Sequence, residues 1–570
     1  MSRGGHLLHA ARRWFALGLL GCAGALHAQT ASPGNPLDQL PEARPLPLAP
    51  GATPGARVTV EAPPDPGAGR MAQVVRPARF DIEGINALPF DAIASRFAPL
   101  VGQTLTVAQL VATADGATAL YRERGHPLSF VFLPDQTFAD GVVRVVAVEG
   151  FVSAVRIEGD AGIAETRLRA IAERLITQRP LTLSGFERVT QLLARLPGLT
   201  VDATAALPAS TDGATTLVLK VKREPYNVSV GADLRQPTPR AVLSGVWNDP
   251  VLPGSQLSAS TLLGSWAREK LLTLGYSQMV GADGLTLKAN VSSYRGYPDE
   301  ALGRGSSIER FNTNRRVDLA ASYPLLLSAR SSLTLSGGFY AVDNIDDYRA
   351  PATGRQLSED TRVRALFAQL AYADASPDRS RIASVMVAQG LRGAGASATV
   401  RSNVAGLAGE NPARLDFTRI GFDASQRDRY ANKLGTALSF GAQYSPHTLA
   451  ASERVSFGGT RFGRGYATGD AAGDSGWGLG AEVNRLFTMD GDWLKQVEPY
   501  LLVEAARVST RAGEPALASL RSVALGVRFS DNRHYSLDIA LAKPTGDPSP
   551  SNPARRPRVT LLLTYQLAAR

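Results

Sequence analysis

The chain has 570 residues, 44% of them hydrophobic, with a net charge of +10 and a pI near 9.7. That length allows several domains and a sizeable core, while a mean hydropathy of -0.07 excludes a bundle of membrane-spanning helices. The basic residues are scattered, without a basic helix or an aromatic platform, which argues against a nucleic-acid partner and fits solvated faces, a cationic lumen or contact with anionic headgroups.

The first 28 residues read as a secretory signal peptide. Arg3, Arg12 and Arg13 precede the apolar run Trp14 to Leu20, small residues continue to Ala28, and no stop-transfer pattern follows. Lipoprotein (Leu19 to Cys22) and twin-arginine (Arg12 to Phe15) readings of the same stretch rest on short patterns that arise by accident. Cys22 is the one cysteine, so a chain cut after Ala28 forms no disulfide. Residues 29–74 form a linker with ten prolines between Gln29 and Arg70, in which only Pro36 to Ala43 has the composition for a short helix.

Regular structure begins near Arg79. Arg79 to Gly84 alternates as a strand, Pro89 to Pro99 and Thr106 to Arg124 have helical spacing, and Leu128 to Leu133 and Val142 to Gly150 are strands. The order then repeats: strand Val152 to Gly159, helices Ala164 to Ile176 and Thr182 to Leu196, strands Leu199 to Ala203 and Thr215 to Lys222. Ile82-Glu83-Gly84 and Ile157-Glu158-Gly159 close the first strand of each copy. This is an internal repeat of two α+β units, 75–150 and 151–224.

After Pro225 helical periodicity gives way to strict alternation, as in Leu285 to Ser292, Ser522 to Phe529, Ser536 to Leu541 and Val559 to Leu567. Alternation alone fits a soluble sandwich as well as a barrel. Export, strands of about ten residues, charges on the polar face and aromatics near strand ends favour a transmembrane β-barrel over 225–570, closed because lipid cannot satisfy a sheet edge.

Between two such strands lies Arg461-Phe462-Gly463-Arg464-Gly465-Tyr466, with glycines on both flanks, reading as a buried functional loop built around one charge. Enzyme signatures are missing: there is no Gly-x-Ser-x-Gly, phosphate loop or His-Glu-x-x-His, and His126, His447 and His534 are far apart. Asp343, Asp346 and Asp347 read as a solvated turn, since they lack calcium-loop spacing. We expect no catalytic residue, cofactor or metal.

Gly102 to Thr106, Leu120 to Gly125, Val131 to Gln136, Val148-Glu149-Gly150, Arg179 to Thr182, Leu196-Pro197-Gly198 and Arg223 to Tyr226, together with Arg464-Gly465-Tyr466, resemble the TpsB transporters of two-partner secretion. These belong to the superfamily of POTRA-bearing outer-membrane barrels that includes the barrel-assembly insertase. The resemblance covers nearly everything from about residue 75. It implies two POTRA repeats followed by a barrel of 16 antiparallel strands, with the loop around 452–478 folded inward. It also implies a Gram-negative outer membrane, with the repeats in the periplasm, and assembly of the barrel by the insertion machinery. The implied function is secretion of a large partner protein of adhesin, haemolysin or haemagglutinin type; the alternative is an insertase.

In that family the loop arginine pairs with an inward acidic residue on the wall. The matching residue here is Glu504, with Tyr500, Leu502 and Ala506 on its face. The sequence departs from the pattern, since aspartate is common at Glu504 and glycine at Ala506. The pair is read as an anchor rather than a gate, because the sequence offers the arginine a partner but no second seat.

Overall fold

The computed structural model describes residues 68–233, 239–264, 268–298 and 308–567. The expected signal peptide, most of the proline-rich stretch and Pro36 to Ala43 lie outside them. The first described elements are a short helix, Ala68–Met71, and strand β1 (Val74–Val75), which pairs with β3 (Leu105–Thr106), so among the described residues the first unit takes in Val74.

Two units with the same topology follow. In the first, β2 (Arg79–Glu83) runs parallel to β5 (Val142–Val148), which pairs antiparallel with β4 (Phe130–Phe132). In the second, β6 (Phe151–Gly159) runs parallel to β8 (Ala214–Arg223), which pairs antiparallel with β7 (Leu199–Ala205). Helices Phe90–Phe97 and Val107–Glu123 cover the first sheet; Glu165–Ala172 and Leu183–Ala194 cover the second.

The repeated motifs have physical causes. Gly84 and Gly159 sit at φ of +85° and +101°, and a Cβ on either would lie 2.1 or 2.2 Å from the carbonyl oxygen of Ala147 or Val221 on the central strand. Only glycine fits where the first strand leaves its sheet. Thr106 and Thr182 are both N-caps: their hydroxyls accept from the amides of Gln109 (3.4 Å) and Gly185 (3.2 Å), which starts the second helix of each unit in the same place. In the first unit the Glu149 carboxylate accepts from the amides of Asn86 (2.8 Å) and Ala87 (2.6 Å) and from the Tyr121 hydroxyl (3.0 Å). Burial, reinforced by that carboxylate, pushes the Tyr121 phenol well above its usual range.

No free linker separates these units from each other or from the barrel. Leu181 and Leu183 donate their amides to Gly150 and Gly125, each at 2.8 Å. Leu192 and Leu196 of the second unit share one apolar core with Met279 and Leu327 from strand ends at the barrel base. Arg167 donates to the Gly281 carbonyl at 2.7 Å, and Arg174 forms an ion pair with Asp283.

The barrel wall begins with β9 (Tyr226–Asp233), β10 (Arg240–Asn248), β11 (Ser255–Leu263), β12 (Glu269–Val280) and β13 (Leu285–Gly296). The long strands β14 (Glu309–Leu327), β15 (Ser331–Ala350) and β16 (Arg355–Ser376) follow, then β17 (Arg379–Gly390). Short strands β18 (Ser397–Ser402) and β19 (Gly409–Glu410) extend a loop. The wall resumes with β20 (Thr418–Arg429) and β21 (Leu434–Tyr444). A loop hairpin, β22 (Val455–Phe457) with β23 (Ala471–Gly473), precedes β24 (Ser475–Arg485) and the two-residue β25 (Phe487–Thr488). β26 (Gln496–Ser509), β27 (Ser519–Ser530), β28 (Tyr535–Pro544) and β29 (Arg558–Gln566) complete it. Setting aside the short β18, β19 and β25, sixteen antiparallel strands form the wall, and β29 closes on β9 through pairs from Asp233 with Leu562 to Ser229 with Gln566.

The apolar residues of each alternating segment point outward. Leu287, Val291, Val503, Leu525 and Leu541 are exposed, Tyr226, Trp247 and Tyr565 ring one end, and Tyr444 and Trp477 lie toward the other. One expectation is corrected: Asp343, Asp346 and Asp347 are not a solvated turn. They lie on β15, where Asp346 is buried in an ion pair with Arg310 at 2.7 Å, because β15 runs far past the apolar band and needs inward polar residues there.

Gly84→Ala and Gly159→Ala should each destabilise their unit by about 1–3 kcal/mol through steric and left-handed strain. Limited proteolysis of the full-length protein should show the affected unit cleaved first, with the barrel intact.

Candidate functional site

Residues 445–474, between β21 and β24, turn inward and fill the lumen. The chain can double back there because the β22/β23 hairpin pairs Val455 with Gly473 and Phe457 with Ala471. The tip uses the left-handed region repeatedly, with Gly458 at φ +115°, Gly459 at +64° and Phe462 at +51°. Phe462 is held in that conformation by its surroundings. Its ring lies on a floor of wall glycines: a Cβ on Gly478 would come within 2.4 Å of it and one on Gly441 within 2.9 Å. The Phe457 ring meets it edge-on at 5.7 Å.

Arg464, Gly465 and Tyr466 are brought together at the wall. Gly465 packs against the end of β28, where a Cβ would lie 2.6 Å from the Pro544 nitrogen. Tyr466 is buried and its hydroxyl donates to the Asp547 carbonyl at 3.0 Å. Arg461, three residues earlier, remains half exposed and pairs with Asp423 at 3.2 Å.

The charge pairing differs from the sequence expectation. Glu504 does face Arg464, but its carboxylate accepts the backbone amide of Arg464 at 2.7 Å and the Ser522 hydroxyl at 2.9 Å. The guanidinium passes beyond it to Asp538 on β28, at 3.2 Å, and also donates to the Tyr500 hydroxyl. Tyr500 in turn donates to Asp538 at 2.7 Å. Space decides this. With its main chain pinned over β26, the arginine extends across β27, where Gly526 has no side chain and a Cβ would strike the Tyr500 ring and hydroxyl at 2.4 Å.

A second arginine ties the cluster to the wall. Arg528 stacks on the Tyr500 ring at 4.1 Å and bonds Glu482 at 2.6 Å and Glu498 at 2.8 Å, while Arg429 reaches Glu498 at 3.1 Å. The ion pair of Arg464 is shielded, with 12% of the arginine and 15% of the aspartate side chain exposed. Directional bonds to a shielded guanidinium hold the loop tip in one place.

Asp538 was missed as the partner although its face was legible, because Ser536, Asp538 and Ala540 alternate against Leu537, Ile539 and Leu541. Periodicity identifies an inward residue; it does not identify which cross-strand neighbour a side chain reaches. Also missed was Glu453, at the root of the loop. It is buried, accepts from Tyr340 at 2.7 Å and pairs with Arg419 at 3.3 Å. Its one signal was its place at the start of the loop around 452–478.

A family model described as "POTRA domain, ShlB-type" matches residues 75–150, and one described as "Haemolysin secretion/activation protein ShlB/FhaC/HecB" matches residues 256–529. The second match includes the loop, Tyr500 and Glu504 and ends before Asp538. The chain is 24% identical over 498 residues to the outer membrane transporter CdiB of Escherichia coli O6:K15:H31 (strain 536 / UPEC), covering 80% of each. It is 20% identical over 473 residues to the heme/hemopexin transporter protein HuxB of Haemophilus influenzae (strain 86-028NP), covering 78% of this chain and 79% of that one. The solved structure of CdiB from Escherichia coli superposes with a TM-score of 0.64 at 19% identity, over 89% of this chain and 93% of that one.

Asp538→Asn should loosen the tip more than Glu504→Gln, since only the former removes the guanidinium's nearest charge. Losing one partner of a shielded pair costs on the order of 3 kcal/mol. The check is trypsin cleavage after Arg461 or Arg464 in intact cells, with Asp538→Asn cut fastest.

Proposed function

We infer that this chain is an outer-membrane transporter of two-partner secretion, of the haemolysin secretion/activation type, which takes an unfolded exported partner protein in the periplasm and passes it through its barrel to the cell surface or medium. The family matches and the POTRA-then-barrel architecture support that reading over an insertase. The named relatives are transporters, and transport by this route needs no catalytic step, so we assign the chain no enzymatic role. The partner is a large exported protein, for which an adhesin, haemolysin or haemagglutinin type suits.

The observation that carries the mechanism is the mount of the second unit on the barrel mouth. Leu199, the first residue of β7, pairs with Arg223, and Glu224 donates its amide to the Gly198 carbonyl at 2.7 Å just before β9 begins. An extended chain added along β7 is therefore delivered to the mouth beside β9 and β10. Strand addition uses main-chain hydrogen bonds that are largely indifferent to sequence, which suits an unfolded cargo.

The corresponding edge in the first unit is capped. The Thr118 hydroxyl accepts from the Val131 amide at 2.8 Å and donates to its carbonyl at 3.3 Å, closing the outer side of β4. Among the described residues no such cap sits on β7. Above the mouth the inner wall carries small polar groups: Ser244 faces Ser229 and Ser260, which share the lumen with Ser258 and Asn290. Such a wall offers a sliding chain few strong contacts. Folding outside the cell then biases direction, since the periplasm holds no ATP.

Deleting residues 76–150 should abolish secretion of the partner while the barrel still inserts; normal secretion from that deletion would refute a capture role for the first unit. In cells lacking the chain, loss of one large exported protein with other barrels unchanged is expected. A general fall in outer-membrane proteins would make the chain an insertase. Single cysteines at Thr200 or Thr204 should crosslink a stalled cargo at least several-fold better than one at Phe130 or Phe132.

A further inference from the structure

We propose that Glu453, Tyr340 and Arg419 form a second tether that holds the root of the inward loop against the wall opposite the one that holds Arg464. This rests on the reading of the chain as a transporter whose lumen the loop occupies. Tyr340 belongs to β15 and Asp538 to β28, the seventh and fifteenth of the sixteen wall strands, so the two attachment points stand eight strands apart in a closed ring. The loop is a crossbar fixed at both ends.

The second tether is built as carefully as the first. Glu453 closes a short helical turn, Ala451–Glu453, and its side chain is 1% exposed. One carboxylate oxygen accepts from the Tyr340 hydroxyl at 2.7 Å and lies 3.3 Å from the Arg419 guanidinium. Its carbonyl accepts from the Gln443 amide at 2.9 Å. The Tyr340 ring is fixed from behind by Arg316, whose guanidinium lies 4.6 Å from the ring centre and is itself held by Asp318 at 2.6 Å. Two arginines and two carboxylates balance locally, so removing the Glu453 charge leaves Arg419 without a carboxylate in a shielded site.

The two ends share no residue. Loss of the Arg464 side chain removes the tip's ion pair with Asp538, leaving its main-chain bond to Glu504, and the root stays tied across the lumen. Loss of Glu453 frees the root but leaves the tip on β28. Vacating the lumen requires both, which predicts synergy rather than addition. Glu453, Tyr340 and Arg419 are thus positioning residues for transport, acting through the loop.

The test is single-channel conductance of the purified full-length protein in planar bilayers, with Glu453→Gln, Tyr340→Phe, Arg464→Ala and each double variant. Either root substitution alone and Arg464→Ala alone should raise mean conductance no more than a few-fold. Glu453→Gln with Arg464→Ala should raise it at least ten-fold over either single. The exchange Glu453→Arg with Arg419→Glu should return conductance toward wild type, which a role in packing alone would not produce. Tyr340→Phe removes one hydroxyl, so it reports on the tether even if the charge variants insert poorly. A double variant no more conductive than Arg464→Ala would overturn the proposal, whether built with Glu453→Gln or Tyr340→Phe. These outcomes do not depend on cargo, so failure of the secretion reading would show separately in the exported and outer-membrane proteins of cells lacking the chain.

Discussion

A sheet facing lipid can leave no amide unpaired at an edge, and this constraint sets the rest of the molecule. It requires the strand that follows Pro225 to meet the strand that ends the chain, and a ring of sixteen strands encloses a lumen. Any loop folded into that lumen brings its own polar groups into a confined space, where each charge needs a partner. The arginine, tyrosine and carboxylate residues on the inner faces of β15, β20, β26, β27 and β28 answer that requirement. Their positions follow from the register of the closed sheet.

The same closure explains how much the sequence could disclose. Alternation identified the outward apolar face in strands such as Leu285 to Ser292 and Val559 to Leu567, because lipid on one side and water on the other impose a period of two. Repetition of the element order and of Ile-Glu-Gly disclosed the two periplasmic units, and the glycine marks a local demand of backbone geometry. The run Asp343 to Asp347 was misread because acidic residues in a short span resemble a turn. Nothing local indicates that the strand carrying them extends far beyond the membrane.

The site was legible at its centre and obscure at its margins. Arg464, Gly465 and Tyr466 stood out through their glycine-flanked setting, and Glu504 through the family resemblance. The ion pair to Asp538 was not accessible, because it depends on how far an arginine reaches across a neighbouring strand and on the absence of a side chain at Gly526. The departure from aspartate to glutamate at position 504 acquires a physical sense here. The longer side chain reaches the loop's main chain, and a different carboxylate receives the guanidinium.

The apolar core of the second periplasmic unit includes Met279 and Leu327, which belong to the base of the barrel. A core divided between two bodies is complete only when both are present. Until the barrel has formed, Leu192 and Leu196 lack part of their packing, so the unit reaches full stability after membrane insertion. Maturation therefore has a built-in sequence. The second unit gains the packing of Met279 and Leu327 only once the channel exists, so its stability is tied to that of the barrel it borders.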